Sequence, residues 1–308
     1  MSSGLPELLE LHSATSYTLF WKDPHPPPTG GGRISHFLTH QCRLINRIER
    51  PVCNENQRTL LCALQGSGAI AEQCAGEALM RESRTTMRAV VITRFGPPEV
   101  LQFRDLNVPS MGVGDVLVRT RVIGLNFAEV FARLGYYPAI PKPPFVPGLE
   151  FSGVVDAVGT SVRGIKKGDR VFGLTRHNAY AEYVSVPREV IFRIPRNMSF
   201  EDAAAFGVTS LTAYHGLVTL AQLKRGERLL IHAAAGGVGT AALQIARHLG
   251  AIVYATVGSE AKMKVAEELG AEVVINYSED DFAAVIRNET NGAGLDVIFD
   301  SVGGKIMR

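Results

Sequence analysis

With 308 residues, 46% of them hydrophobic and 20% charged, the chain has room for two domains and the composition of a soluble globular protein. Its formal net charge of +2 offers no basic excess for nucleic acid. No stretch of 18 or more apolar residues suggests a membrane span, so the expected partner is a small molecule and the expected compartment the cytoplasm.

Residues 1–86 lack any sustained period of 2 or 3.6 and carry the loop-forming run PHPPPTGGG at 24–32. Only two short helices, LPELLEL and Ala69–Arg81, are conceivable there. The eight acidic and eight basic residues of this segment balance, unlike a transit peptide, and no signal-peptide layout precedes them. All four cysteines, Cys42, Cys53, Cys62 and Cys74, fall here at spacings of 11, 9 and 12, without the CxxC pairs of a structural zinc site. The segment reads as a disordered extension, or as sequence upstream of a start at Met87.

From Met87 the pattern sharpens. MRAVVITRFG, DVLVRTRVIGLN, FSGVVDAVG, DRVFGL and AEYVSVP are short β-branched runs bounded by Gly, Pro and Asp, as in a β-rich domain. Pro138–Pro147 is a loop, because proline removes the donors a central strand needs. Helical patterns follow at Phe200–Phe206 and Thr209–Leu220. After Gly226 strands and helices alternate: Arg228–Ala233, Val238–Leu249, Ile252–Val257, Ala261–Leu269, Glu272–Asn276, Asp280–Thr290 and Asp296–Ser301. Gly250 and Gly270 close two of these helices, where a left-handed cap suits glycine. The fold class is therefore α/β, a β-rich domain over 87–207 followed by a doubly wound parallel sheet over 208–308. Four strands in the order 3-2-1-4 are part of a six-strand sheet, so the chain reads as C-terminally truncated. Its nicotinamide floor would then be incomplete and 1–308 alone a poor enzyme.

The strand–turn–helix at Arg228–Leu249 carries Ala234-Ala235-Gly236-Gly237-Val238-Gly239, a GxGxxG fingerprint whose first glycine is alanine. Gly236 would let backbone approach a pyrophosphate and Gly239 would let the helix pack on the sheet. Amides at the helix start, around Gly237 and Val238, would meet the phosphate oxygens. A plain structural corner is the alternative, and the βαβ context argues against it. The next strand ends ATVGS, so Thr256 stands where an NAD site usually carries an acid for the ribose 2′-hydroxyl. A 2′-phosphate is tolerated there, with Ser259 and Lys262 near, although an exposed helix lysine is the ordinary reading of Lys262 and Glu260 leaves NAD open.

In order along the chain, MRAVV, GLNFAEV, PFVPGLEFSGVV, GDRV, AYAEY, LTAYHGL, HAAAGGVG and LGAEVVINY resemble the medium-chain dehydrogenase/reductase superfamily, in its zinc-free quinone oxidoreductase-like branch. The resemblance implies a GroES-like substrate domain, an incomplete Rossmann domain, a cleft between them and a homodimeric parent. It also implies NADPH, with Lys262 and Tyr277 at the 2′-phosphate and with Asn126, Tyr137 and Thr212 facing nicotinamide or substrate. Each of these three has a structural alternative: a helix cap for Asn126, a loop aromatic for Tyr137, a backbone hydrogen bond for Thr212. Zinc members use a Cys and a Gly-His-Glu stretch; here Asn126 and Leu149 replace the Cys and His, and Glu150 alone remains. One carboxylate does not hold a tetrahedral Zn²⁺, and His177, His215, His232 and His248 form no i,i+4 pair. The expected activity is zinc-free hydride transfer from NADPH to a quinone or an α,β-unsaturated carbonyl. Alternatives are a reductase of 2-alkenals or enoyl thioesters, an NADPH-binding protein of the lens or vesicle type, and an inactive fragment.

Overall fold

The computed structural model describes residues 85–138 and 140–304. The expectations for residues 1–84, including the two short helices and the four cysteines, lie outside the described residues. Two compact units divide the described chain after Val208.

Residues 85–208 are β-rich. Strands β1 (Thr86–Ile92) and β2 (Leu101–Asn107) pair antiparallel as a two-stranded ribbon. Then come β3 (Asp115–Ile123), helix α1 (Phe127–Leu134), β4 (Glu150–Val158), β5 (Arg170–Leu174), β6 (Tyr183–Pro187) and β7 (Ile191–Arg193). The five later strands form one antiparallel sheet in the order β6-β3-β4-β5-β7. Alternation sets which side of β3 faces inward: Val116 and Val118 are fully buried and pack with Phe151, Val155 and Val171. Bridges from Ala89 to Ala181 and from Ile92 to Phe145 tie the ribbon to this unit. Sequence pattern misses β2 because only Leu101 of its seven residues is buried, and misses β7 because it spans three residues.

The two helices expected at 200–206 and 209–220 are one. Helix α2 (Phe200–Tyr214) runs through Gly207 and continues as a π-helical turn over His215–Leu220. Gly207 persists inside it because a Cβ there would sit 2.7 Å from Leu174 Cδ2. Fused in this way, Phe200–Leu220 is long and apolar enough by length and composition to cross a membrane, although a core helix passes the same test.

Residues 209–304 alternate strand and helix: β8 (Arg228–Ile231), α3 (Gly237–Leu249), β9 (Ile252–Val257), α4 (Glu260–Glu268), β10 (Val273–Asn276), α5 (Phe282–Glu289) and β11 (Val297–Phe299). All pairings are parallel, in the order β10-β9-β8-β11, which is the 3-2-1-4 arrangement. Leu229, Ile231, Val253 and Ala255 are completely buried against Ala242, Leu243 and Ala246 of α3. Both faces of these strands are covered, which is why they read as continuous apolar runs. Gly250 ends α3 at φ +76°, with its amide donating to Ala246 and Arg247 carbonyls. On β11, at the sheet edge among the described residues, Ile298 is exposed.

Candidate functional site

The glycine turn is built by β8 running into α3. Ala233 turns the chain at φ +51°, Ala234 is fully buried with its amide bonded to Thr256 O at 3.1 Å, and Gly236 N bonds Ala233 O at 2.8 Å. Helix α3 then begins, its first capping bond running from Thr240 N to Gly236 O at 2.8 Å. The amides of Gly237, Val238 and Gly239 precede that bond and point along the helix start, where the dipole favours an anion. Gly236 and Gly237 are exposed, so the turn is open to a ligand. Gly239 is there for packing: a Cβ would lie 2.4 Å from Ala233 O and 2.6 Å from Ala234 O.

At the ends of β9 and β10 the other predicted cofactor residues gather. Thr256 is fully buried and its hydroxyl shares a 2.8 Å hydrogen bond with His232 Nδ1. Thr256 therefore makes this strand end neutral while keeping its own side chain inside the sheet. His232 is buried too, set edge-on against Phe282, and burial holds its imidazole below the usual histidine range. Sequence reasoning passed over this His–Thr pair because the two residues lie 24 apart. Ser259 is the N-cap of α4, and its carbonyl accepts from Lys262 N at 3.0 Å. The Lys262 side chain is exposed and has no hydrogen-bond or ion-pair partner among the described residues. Tyr277 is half exposed and packs over Gly258, where a Cβ would stand 2.5 Å from its hydroxyl. Gly258, Ser259, Lys262 and Tyr277 thus share one corner beside the C-terminal end of the parallel sheet.

In the β-rich unit the geometry centres on Asn126. It is the N-cap of α1, and its backbone amide donates to Glu129 Oε2 at 2.5 Å, one half of a capping box. Its side-chain Nδ2 donates to Glu150 Oε1 at 2.8 Å. Glu150 opens β4, 2% exposed, and its Oε2 accepts from Val208 N at 2.8 Å. Gly124 leaves room for it, since a Cβ there would meet Glu150 Cγ at 2.4 Å. Glu129 is as deeply buried and also accepts from Leu149 N at 3.2 Å. Burial, with the Glu150 charge added, pushes the Glu129 carboxyl up to about 8 against opposing backbone hydrogen bonds. Burial raises Glu150 as well, while N–H donors from Val208, Asn126 and Gly207 pull it back. Tyr137, half-buried, lines a small open pocket of about 10 Å³ together with Glu129, Phe145, Leu149, Arg176 and His177. Thr212 lies in α2 within the other unit, half-buried. Sequence reasoning missed Glu129. Its signal was present as the Asn126-x-x-Glu129 spacing of a capping box.

The surroundings of Glu150 bear directly on zinc. The side chains standing where two zinc ligands would be needed are a carboxamide and Leu149, and the carboxylate's oxygens already face N–H donors. Among the described residues no cluster of three His, Cys, Asp or Glu could hold a metal ion. These residues do not fit a catalytic Zn²⁺.

Comparison with known proteins agrees with this architecture. Residues 112–196 match the family "Alcohol dehydrogenase GroES-like domain" and residues 237–308 the family "Zinc-binding dehydrogenase". Human quinone oxidoreductase is 38% identical over 223 residues, covering 72% of this chain and 68% of its own length. This chain is a member of the medium-chain dehydrogenase/reductase superfamily. Within that superfamily it falls in the quinone oxidoreductase-like branch and is built as an oxidoreductase. Another relative is the synaptic vesicle membrane protein VAT-1 homolog of Rattus norvegicus, 40% identical over 220 residues; these are 71% of this chain but 54% of the rat protein. Among solved structures, Escherichia coli quinone oxidoreductase complexed with NADPH superposes with a TM-score of 0.65 at 35% identity, over 71% of this chain and 68% of that one. The superfamily assignment accounts for both halves, the GroES-like β unit and the Rossmann-type parallel sheet.

Proposed function

We propose that this chain is an NADPH-dependent, zinc-independent reductase of quinones or α,β-unsaturated carbonyls, with residues 87–207 receiving the substrate and 208–308 the cofactor. The observation that carries the reading is the Asn126–Glu150 pair, a hydrogen-bonded amide and carboxylate in place of a metal-ligand set.

In its cofactor half, Gly236, Gly237, Val238 and Gly239 present backbone to the pyrophosphate, with Ala234 anchoring the turn to β9. Lys262 and the Tyr277 hydroxyl, with Ser259 beside them, receive the 2′-phosphate, and the neutral Thr256 end removes the carboxylate that would repel it. When bound, NADPH supplies a hydride from C4 of its nicotinamide.

The protein's task is then to stabilise the oxygen on which negative charge develops. Without a Lewis acid this falls to hydrogen-bond donors, and delocalising acceptors such as quinones and enones need least from them. Asn126 has a second Nδ2–H after serving Glu150, and Tyr137 and Thr212 are the other two residues that the family resemblance assigns to the reaction. A quinone that accepts the hydride becomes the hydroquinone anion, and one proton taken from solvent completes the two-electron reduction. Small-molecule reduction in the absence of added metal tests the whole assignment. NADPH-dependent reduction of a small quinone is expected to persist after exhaustive chelation; loss of activity restored by stoichiometric Zn²⁺ would overturn it.

A further inference from the structure

Glu150 has no place in the reaction as described, yet it is one of the best-satisfied polar groups in the β-rich unit. Its side chain passes beneath Gly124, whose Cβ would collide with Glu150 Cγ and with Ala204 O at 2.3 Å. Oε1 accepts from Asn126 Nδ2 at 2.8 Å and Oε2 from Val208 N at 2.8 Å, with the Gly207 amide a further donor to the carboxylate. Every one of these partners is a donor. A carboxylate surrounded in this way is a pure acceptor, and it imposes a direction on whatever faces it.

That direction matters for one neighbour. The two arms of an asparagine carboxamide are nearly identical in shape and opposite in hydrogen-bonding sense, so only the surroundings decide which arm points where. We propose that Glu150 is a positioning residue that fixes the orientation of the Asn126 carboxamide, holding its NH₂ arm so that the second hydrogen is presented to the substrate oxygen. The proposal rests on the reading of Asn126 as a substrate donor. The main-chain half of the same device is Glu129, which takes the Asn126 backbone amide at 2.5 Å and so fixes the residue from which the carboxamide hangs.

The chemistry predicts what an isosteric change does. In Glu150→Gln the single remaining carbonyl oxygen is drawn to the two backbone donors of Gly207 and Val208, which cannot reorient. The new NH₂ then faces Asn126, and Asn126 satisfies it only by turning its own carbonyl oxygen inward. Its donor arm swings away from the substrate although volume and packing are unchanged. A purely structural role for Glu150 and an orienting one therefore diverge in the kcat of folded Glu150→Gln, and the exchange of donor and acceptor is tested separately by the double variant Glu150→Gln/Asn126→Asp. There the amide introduced on β4 donates to the carboxylate introduced at the start of α1. The buried hydrogen bond is rebuilt with donor and acceptor exchanged, and aspartate is as good a helix N-cap as asparagine. No donor is left for the substrate.

The test is steady-state quinone reduction with NADPH, together with thermal melting, on the full chain and on Asn126→Ala, Glu150→Gln and the double variant. Expected for Glu150→Gln is a fall in kcat of about 10²-fold, the scale of losing one oxyanion donor, with the KM for NADPH unchanged. The double variant is expected to recover melting temperature without recovering kcat. If kcat returns along with stability, no donor is needed at residue 126 and the proposal falls; if Glu150→Gln folds, melts lower and keeps kcat, Glu150 is structural. If Asn126→Ala loses kcat while Glu150→Gln keeps it, the positioning claim alone fails. If Asn126→Ala keeps kcat, the donor role of Asn126 fails and takes this proposal with it. Should Glu150→Gln not fold, the double variant decides by its melting temperature: recovery shows that the side chain on β4 sets the sense of the bond at residue 126, and no recovery overturns the orienting role.

Discussion

Replacing Glu129 by glutamine should change how the protein's stability depends on pH more than it changes stability itself. In the folded chain this carboxyl titrates near 8, raised from 4.5 by burial and by the Glu150 charge. In the unfolded chain it ionises at the ordinary value. Between those two values the folded state holds a proton that the unfolded state has released, so stability declines as pH rises through the window. Below about 4.5 both states are protonated, and above about 8 both are ionised, so the contribution is flat on either side. Each pH unit inside the window is worth up to about 1.4 kcal/mol, which makes the decline between about pH 5.5 and 7.5 roughly 2.5 kcal/mol.

Glu129→Gln removes that slope at a fixed cost. Glu129 accepts on both oxygens, from Asn126 N and Leu149 N, and an amide presents only one acceptor. One buried N–H is left facing an NH₂ group, a penalty of about 1–3 kcal/mol that does not vary with pH. The difference in unfolding free energy between wild type and variant should therefore shrink and then reverse as pH rises, by roughly 2.5 kcal/mol over that window. Urea unfolding at fixed pH values measures it, with native-state hydrogen exchange on β3 and β4 reporting the β-rich unit alone. Parallel pH profiles for the two proteins would show that Glu129 carries no displaced proton and would refute the argument.

Two further outcomes concern the cofactor half. Gly239→Ala places a methyl group 2.4 Å from Ala233 O, so the turn must open; NADPH binding followed by nicotinamide fluorescence should weaken at least tenfold, and unchanged affinity would show that the turn is not the pyrophosphate site. Lys262→Ala removes a charge-assisted bond of about 1.5–3 kcal/mol, which should weaken NADPH selectively. Equal losses for NADPH and NADH in parallel titrations would sink that assignment.

How much of this is visible in the sequence depends on how local the cause is. The pattern places β9 at Ile252–Val257 and arranges the four parallel strands correctly, because each is a short apolar run set off by a helix or a turn. Helix α2 is read as two pieces, because Gly207 looks like a break to local propensity while the reason for it, Leu174, is distant in the chain. The glycine turn between β8 and α3 is legible from six consecutive residues. The burial of Glu129 is not: the Asn126-x-x-Glu129 spacing marks a cap, but one glutamate in an amphipathic octapeptide otherwise reads as solvated surface. It is buried by the approach of Leu149, twenty residues later, and no periodicity encodes that contact.

The two carboxyls around Asn126 also explain one another. They are buried in the same unit, and a charge on Glu150 raises the proton affinity of Glu129. Their donors differ. Glu150 collects the Asn126 side-chain amide in addition to backbone N–H groups from α2, whereas Glu129 has backbone amides alone. A negative charge is therefore better served on the carboxylate that faces the carboxamide, where it orients a donor. Ionising Glu129 would put a second negative charge beside the group proposed to stabilise a developing oxyanion, so the same burial that raises its pKa also keeps Asn126 an effective donor.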